Sequence, residues 1–175
     1  MKNYDVIYEY AADNYGLITS SQAKTLGIPN VELVKLAHRG RLKRLGHGVY
    51  RIMHYIPAAH DKYAEAVTLV GDDATIYGES VLAMHGLALV NPSVITVATS
   101  KRIRKKLPAF IKIICPEENL DKVEYEGIPS QSVYDALVSC KRVVMTDRLT
   151  EAVYEAERQG LITSTEARTA MKELL

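Results

Sequence analysis

Between Val31 and Arg51 six side chains are permanently positive (Lys35, Arg39, Arg41, Lys43, Arg44 and Arg51) and one is acidic (Glu32), a local balance of +5. His38 and His47 lie in the same stretch, and an imidazole gains a proton readily beside phosphate. Guanidinium and ammonium groups at this density suit one chemistry: they neutralise the phosphates of a nucleic acid, and at fixed spacing they reach base edges. Lys35 and Arg39 are four apart with His38 adjacent, so on a helix they share one edge. Leu33, Leu36 and Ala37 form the apolar face of that helix, and the basic edge lies to its side or opposite it.

The surrounding pattern supplies elements able to hold such groups. Tyr4 to about Asn14 has helical spacing, with Gly16 as its stop. Thr19 opens a short second helix, and Gln22 three residues on completes a capping box. Leu26-Gly27-Ile28-Pro29 ends it, because Gly tolerates a left-handed turn and Pro forbids helix continuation. Asn30 is the expected N-cap of a third helix, Val31 to about Arg39, ended by Gly40. Leu42 and Leu45 precede Gly46-His47-Gly48, and Val49-Tyr50-Arg51-Ile52 follows, which reads as a β-hairpin with a Gly-x-Gly tip. Helix, short helix, turn, helix and basic hairpin is the order of a winged helix-turn-helix, whose third helix enters the major groove of DNA. On that reading Asn30, Lys35, His38 and Arg39 face the bases, while Arg41, Lys43, Arg44, His47 and Arg51 hold phosphates. A charge run alone is most often a solvated face; the turn and the hairpin tip decide for DNA.

Composition first argues the other way. The chain of 175 residues carries 22 Lys+Arg against 21 Asp+Glu, a net charge of +1, which excludes a globally basic nucleic-acid binder. Averaging hides the distribution. Residues 1–56 hold eight basic and four acidic side chains, whereas residues 107–175 hold eight and twelve. Five of the six positives in residues 57–106 crowd into Lys101, Arg102, Arg104, Lys105 and Lys106. This run sits between two strand-like stretches, Val94–Thr99 and Phe110–Cys115, so an exposed loop is expected. Its readings are a solvated loop, a second nucleic-acid contact, or a surface facing a partner.

From Pro57 onward the pattern changes, and the domains are expected at residues 1–56 and 57–175. Helices are expected at His60–Val70, Glu79–His85, Ser132–Cys140, Asp147–Gln159 and Ser164–Leu174, with extended pieces at Thr75–Tyr77 and Ile128–Ser130. Strands and helices mix without regular alternation, so the fold class is α+β: a winged helix-turn-helix followed by a small mixed domain. One internal echo, Gly16–Thr25 against Gly160–Thr169, reads as two helix joints built alike, because the second leaves no room for a recognition helix. Tyr4 and Tyr8, also four apart, belong with Val6, Ile7 and Ala11 in a small core, their hydroxyls wet.

Catalytic candidates are weak. Ser80 and His85 are five apart, on different sides of a helix, and lack an orienting third group. A helix cap for Ser80 and packing or a partner contact for His85 are the better readings. Glu117, Glu118 and Asp121 suggest a polar loop after Pro116, and Asp72-Asp73 a turn. No Gly-rich phosphate loop occurs, Cys115 and Cys140 have no metal-ligand spacing, and no cofactor or metal is expected. The opening residues have no secretory h-region and no apolar run reaches ~20 residues, so a cytoplasmic protein with reduced thiols is expected.

Several stretches together resemble a family. Gly16-Leu17-Ile18-Thr19-Ser20-Ser21-Gln22-Ala23, Leu26-Gly27-Ile28, Leu36-Ala37-His38-Arg39-Gly40-Arg41-Leu42 and Gly46-His47-Gly48-Val49-Tyr50-Arg51 look like the N-terminal domain of AbiE-type (AbiEi) antitoxins. Tyr77-Gly78-Glu79-Ser80-Val81-Leu82-Ala83-Met84-His85-Gly86-Leu87 is similar to the stretch opening that family's second domain, although Val81-Leu82-Ala83 departs in detail, and Gly127-Ile128-Pro129 also suits it. The resemblance implies a non-enzymatic regulator from type IV toxin–antitoxin, abortive-infection operons. It would repress its own promoter at inverted repeats in double-stranded DNA and counter a nucleotidyltransferase-like toxin without necessarily binding it. The competing readings are a small nuclease targeted by a winged helix, and a protein-interaction module working through the tyrosine-rich first helix.

Overall fold

A computed structural model, describing residues 2–116 and 120–174, divides the chain into two compact units. The first runs to Asp72 and also takes in Ile103–Leu107; the second comprises Asp73–Arg102 and the chain from Pro108 onward.

In the first unit α1 (Lys2–Ala12), β1 (Leu17–Thr19), α2 (Ser20–Thr25), α3 (Asn30–His38), β2 (Leu42–Gly46), β3 (Val49–Ile52) and α4 (Asp61–Val70) follow in order. Gly16 lets the chain leave α1 at φ +69°, and its missing side chain makes room for Tyr55, whose Cγ would lie 2.5 Å from a Cβ there. The expected capping box is present: Thr19 Oγ1 accepts the Gln22 N–H at 3.1 Å, and Gln22 Oε1 accepts the Thr19 N–H at 2.8 Å. Ile7 and Ala11 of α1, Ala23 of α2, Leu33 and Leu36 of α3, and Leu42, Tyr50 and Ile52 of the hairpin close one core around Ile18. Tyr4 and Tyr10 pack against its edge, while Val6 and Tyr8 are exposed and stand outside it.

Three features of this unit differ from the sequence expectation. Leu17–Thr19, for which no strand was expected, is a strand: it pairs antiparallel with β3, Leu17 opposite Arg51 and Thr19 opposite Val49, giving the sheet order β1-β3-β2. Three residues are too few to show a period-two pattern, so only the partner makes them a strand. Asn30 is not the N-cap of α3. Pro29 takes that place with extended backbone, and the Asn30 side chain instead accepts a hydrogen bond from Ser20 Oγ at 2.8 Å. Finally, the compact unit reaches past residue 56 to include α4, whose Ala66, Val67, Leu69 and Val70 are buried. A Cβ at Gly46 would lie 2.7 Å from Leu69 Cδ2, so the small residue at the hairpin tip lets α4 approach.

The second unit contains β4 (Thr75–Ile76), α5 (Glu79–Met84), β5 (Ile95–Ala98), β6 (Ile111–Ile114), β7 (Lys122–Tyr125), β8 (Ile128–Gln131), α6 (Val133–Ser139), a 3-10 turn at Cys140–Arg142, α7 (Thr146–Arg158) and α8 (Ser164–Leu174). Its five-stranded sheet runs β6-β5-β4-β8-β7; β5–β6 and β4–β8 are parallel, β4–β5 and β7–β8 antiparallel. The α+β class therefore describes the molecule. Strand β7 was not legible in the sequence. It is an edge strand whose Lys122, Val123 and Glu124 are exposed, so it lacks the apolar alternation of a half-buried strand. Asp73 clasps its far end, accepting hydrogen bonds from Lys122 Nζ at 2.8 Å and from the Ser100 N–H at 2.8 Å. The internal echo is a shared joint: Thr163 and Glu166 form the same reciprocal cap as Thr19 and Gln22, yet no strand follows Gly160.

Candidate nucleic-acid interface

Helix α3 buries Leu33 and Leu36 and turns Val31, Val34, Lys35 and His38 outward. Positions 31, 34, 35 and 38 follow the i, i+3, i+4, i+7 rule, so these side chains form one exposed stripe. Lys35 Nζ reaches back to Glu32 Oε1 at 3.0 Å, an exposed pair that holds the ammonium lightly and releases it readily to a phosphate or base edge. Arg39 caps the helix C-terminus at the flank of the stripe and is exposed. Val31 and Val34, missed by charge counting, are the apolar part of this face; their signal in the sequence was the same spacing from Lys35 and His38.

The wing stands beside this helix. The Ser20 N–H donates to the Gly48 carbonyl at 2.8 Å, which ties the start of α2 to the hairpin tip, and Ser20 Oγ ties α2 to Asn30. Lys43, Arg44 and His47 are exposed on the hairpin, and Arg44 Nε donates to the Gly46 carbonyl at 3.3 Å. Between α2, α3 and the wing lies a groove of about 1060 Å³ lined by Lys24, Asn30, Val34, Arg44, His47 and Lys105 among others. Lys24 was overlooked because it lies outside the basic cluster in sequence. Lys105 reaches the groove because Ile103–Leu107 packs with the first unit rather than with the strands it connects. Lys101, Arg102, Arg104 and Lys106 are exposed elsewhere on the same loop.

Arg41 is exposed with its guanidinium 5.5 Å from the centre of the Tyr4 ring, a cation–π contact that leaves its outer edge open. Arg51 corrects the sequence reading. Its NH1 donates to Glu65 Oε2 at 3.0 Å, the two side chains are 19% and 8% exposed, and Arg51 Nε and NH2 are buried without a hydrogen-bond partner. Strand alternation turned Arg51 away from the core side chains Tyr50 and Ile52, and α4 then covered it. A single acid in the otherwise apolar run Ala64-Glu65-Ala66-Val67 was the sequence signal that a buried cation would meet it.

The catalytic candidates find structural employment. Ser80 lies inside α5, fully buried, and accepts the Thr96 N–H at 2.8 Å, so it is not the helix cap expected from sequence; Gly78 holds that position. The His85 ring packs against Tyr125, tilted by 51° with 4.2 Å between centroids. Burial, with the nearby Glu79 carboxylate, pushes the Cys140 thiol up to about 12, which keeps it protonated and inert. Glu117 and Glu118 lie outside the described residues. Among the described residues, no group of three or more His, Cys, Asp or Glu is arranged to hold a metal ion, and no helix is long and apolar enough to cross a membrane.

No curated protein matches the chain. The stretches Tyr77–Leu87 and Gly127–Pro129 that the resemblance drew on fall outside the segment matched by a known family. That segment is residues 5–52, nearly all of α1 through the end of β3, and it matches the family described as "Transcriptional regulator, AbiEi antitoxin", the family that the sequence resembles there.

Proposed function

We propose that the chain is a sequence-specific, double-stranded-DNA-binding regulator that represses its own operon and serves as the antitoxin of a type IV, abortive-infection system. The observation that carries this reading is the outward stripe of α3 beside a basic wing, within the segment that matches a regulator family. In it Lys35, His38 and Arg39 read base edges in the major groove. Lys43, Arg44, His47, Arg41 and the newly placed Lys24 and Lys105 hold phosphates on either side of the groove. Arg51 is left out of the phosphate set, because Glu65 already neutralises it. The work has no catalytic step and is done in the cytoplasm, where the operator is. Counteraction of a nucleotidyltransferase-like toxin falls to the second unit.

Gel shifts with the chain's own promoter across a salt series test the reading. Lys43→Ala or Arg44→Ala weakens binding to all sequences alike and lowers the salt slope by about 1, whereas Arg39→Ala relaxes preference at one base pair by roughly 1–3 kcal/mol. No shift on any fragment at low salt refutes it. Metal-dependent cleavage of the DNA instead of a shift would favour the nuclease reading.

A further inference from the structure

The two valines on the outward stripe lie outside the hydrophobic core. Val31 is 57% exposed and Val34 50%, while the core side of α3 is filled by Leu33 and Leu36. Both are β-branched, so each lowers helix propensity relative to the alanine or lysine that would serve a solvated face. They are three apart and therefore adjacent, with Lys35 and His38 on the same face. Val34 also lines the groove that Lys24, Arg44 and Lys105, against the single acid Asp72, make net cationic. An apolar strip of two side chains surrounded by cations fits one surface well, the floor of a DNA major groove. There the phosphates take the charges, and the only apolar group offered on base edges is the 5-methyl of thymine.

We infer that Val31 and Val34 read thymine methyl groups, making them specificity-determining residues for the operator. The inference rests on the DNA-binding reading above and adds what those charges cannot supply. Lysine and arginine select guanine acceptors, whereas a valine γ-methyl against C5 selects thymine over cytosine and over uracil. The contact removes a single methyl from water, so its loss costs about fourfold in affinity per thymine.

The test isolates that methyl. The full chain selects its preferred duplexes from a random pool, and each thymidine of the selected duplex is then replaced singly by deoxyuridine, which keeps every hydrogen-bonding edge and deletes only the methyl. At one or two positions the wild type should lose about fourfold. Val31→Ala and Val34→Ala should each bind the thymidine and deoxyuridine duplexes equally at one of those positions. Both sites are exposed and alanine favours helix, so the variants fold, which circular dichroism verifies. A wild type indifferent to deoxyuridine at every position overturns the inference while leaving DNA binding intact. So does full sensitivity retained in both variants, or valine variants that change only the oligomeric state. Failure to enrich any duplex overturns the DNA-binding reading, and the inference with it.

Discussion

Because Arg51 and Glu65 are both largely withdrawn from water, their pair gives a prediction that separates structure from sequence. Glu65→Ala removes the carboxylate that pairs with Arg51 NH1 and leaves a guanidinium that is 19% exposed, with Nε and NH2 already unpaired among the described residues. An uncompensated buried cation costs about 3–5 kcal/mol. Arg51→Met is milder, because Glu65 Oε2 keeps Lys62 Nζ at 3.6 Å and the methionine restores the apolar volume. The double variant Arg51→Met, Glu65→Leu removes both desolvation costs and should lie within about 1 kcal/mol of wild type. Glu65→Leu alone strands the same guanidinium as Glu65→Ala, so the cycle of Arg51→Met, Glu65→Leu and their double variant has a coupling of about 2 kcal/mol or more. Two compact units need not unfold together, so urea unfolding should be paired with amide exchange at Ile52, whose N–H donates to the Gly16 carbonyl at 2.9 Å. The same double variant should bind promoter DNA within about twofold of wild type and keep the salt slope, since Arg51 releases no counterion. A Glu65→Ala cost under about 1 kcal/mol, or a slope reduced by about 1 in the double variant, would refute the placement of Arg51 inside the fold.

Two further outcomes follow from glycine geometry and thiol burial. Gly16→Ala combines a left-handed φ of +69° with a Cβ 2.5 Å from the Tyr55 ring and should cost about 2–4 kcal/mol, whereas Gly40→Ala, at φ +72° with open space around it, should cost about 1–2 kcal/mol in the same urea melts. Equal losses would mean that Tyr55 yields freely. A thiol reagent should label one cysteine in the native chain, the exposed Cys115, and the buried Cys140 only in denaturant. Burial raises the folded Cys140 above its ordinary 9.0, so its neutral form stabilises the fold fully below about pH 9. That contribution is lost as pH rises from there toward about 12, which a melting series in the Cys115→Ser variant would follow. Two thiols reacting at one rate in the native chain would contradict the burial.

Much of the head was legible because its signals are local. A Thr and a Gln three apart cap a helix wherever they stand, and both copies of that joint, at Thr19 and at Thr163, formed it. Gly27 and Pro29 broke the chain between α2 and α3, and the hairpin formed around Gly46-His47-Gly48 with Lys43, Arg44 and His47 outward. In the second unit α8 came out at Ser164–Leu174 as expected, from heptad-like burial of Ala167, Ala170 and Leu174. What stayed hidden depended on partners distant in the chain. Strand β7 is polar because its free edge and, over Lys122–Glu124, both of its faces meet water, and Val31 and Val34 were invisible to an argument built on charge.

Sequence alone determined about where the helices lie, which segment concentrates positive charge beneath a neutral total, and the family its motifs resemble. These follow from spacings of three or four residues and from counts, which need no knowledge of the fold. Only the tertiary structure decided that Leu17–Thr19 is a strand, since its ladder partner is over thirty residues away in β3. It decided too that Lys105 joins the groove of Lys24, Arg44 and His47. Above all it divided the basic cluster into charges that face outward and one, Arg51, that faces Glu65. A formal charge is a property of the residue, but its availability to a phosphate is set by what the fold packs against it.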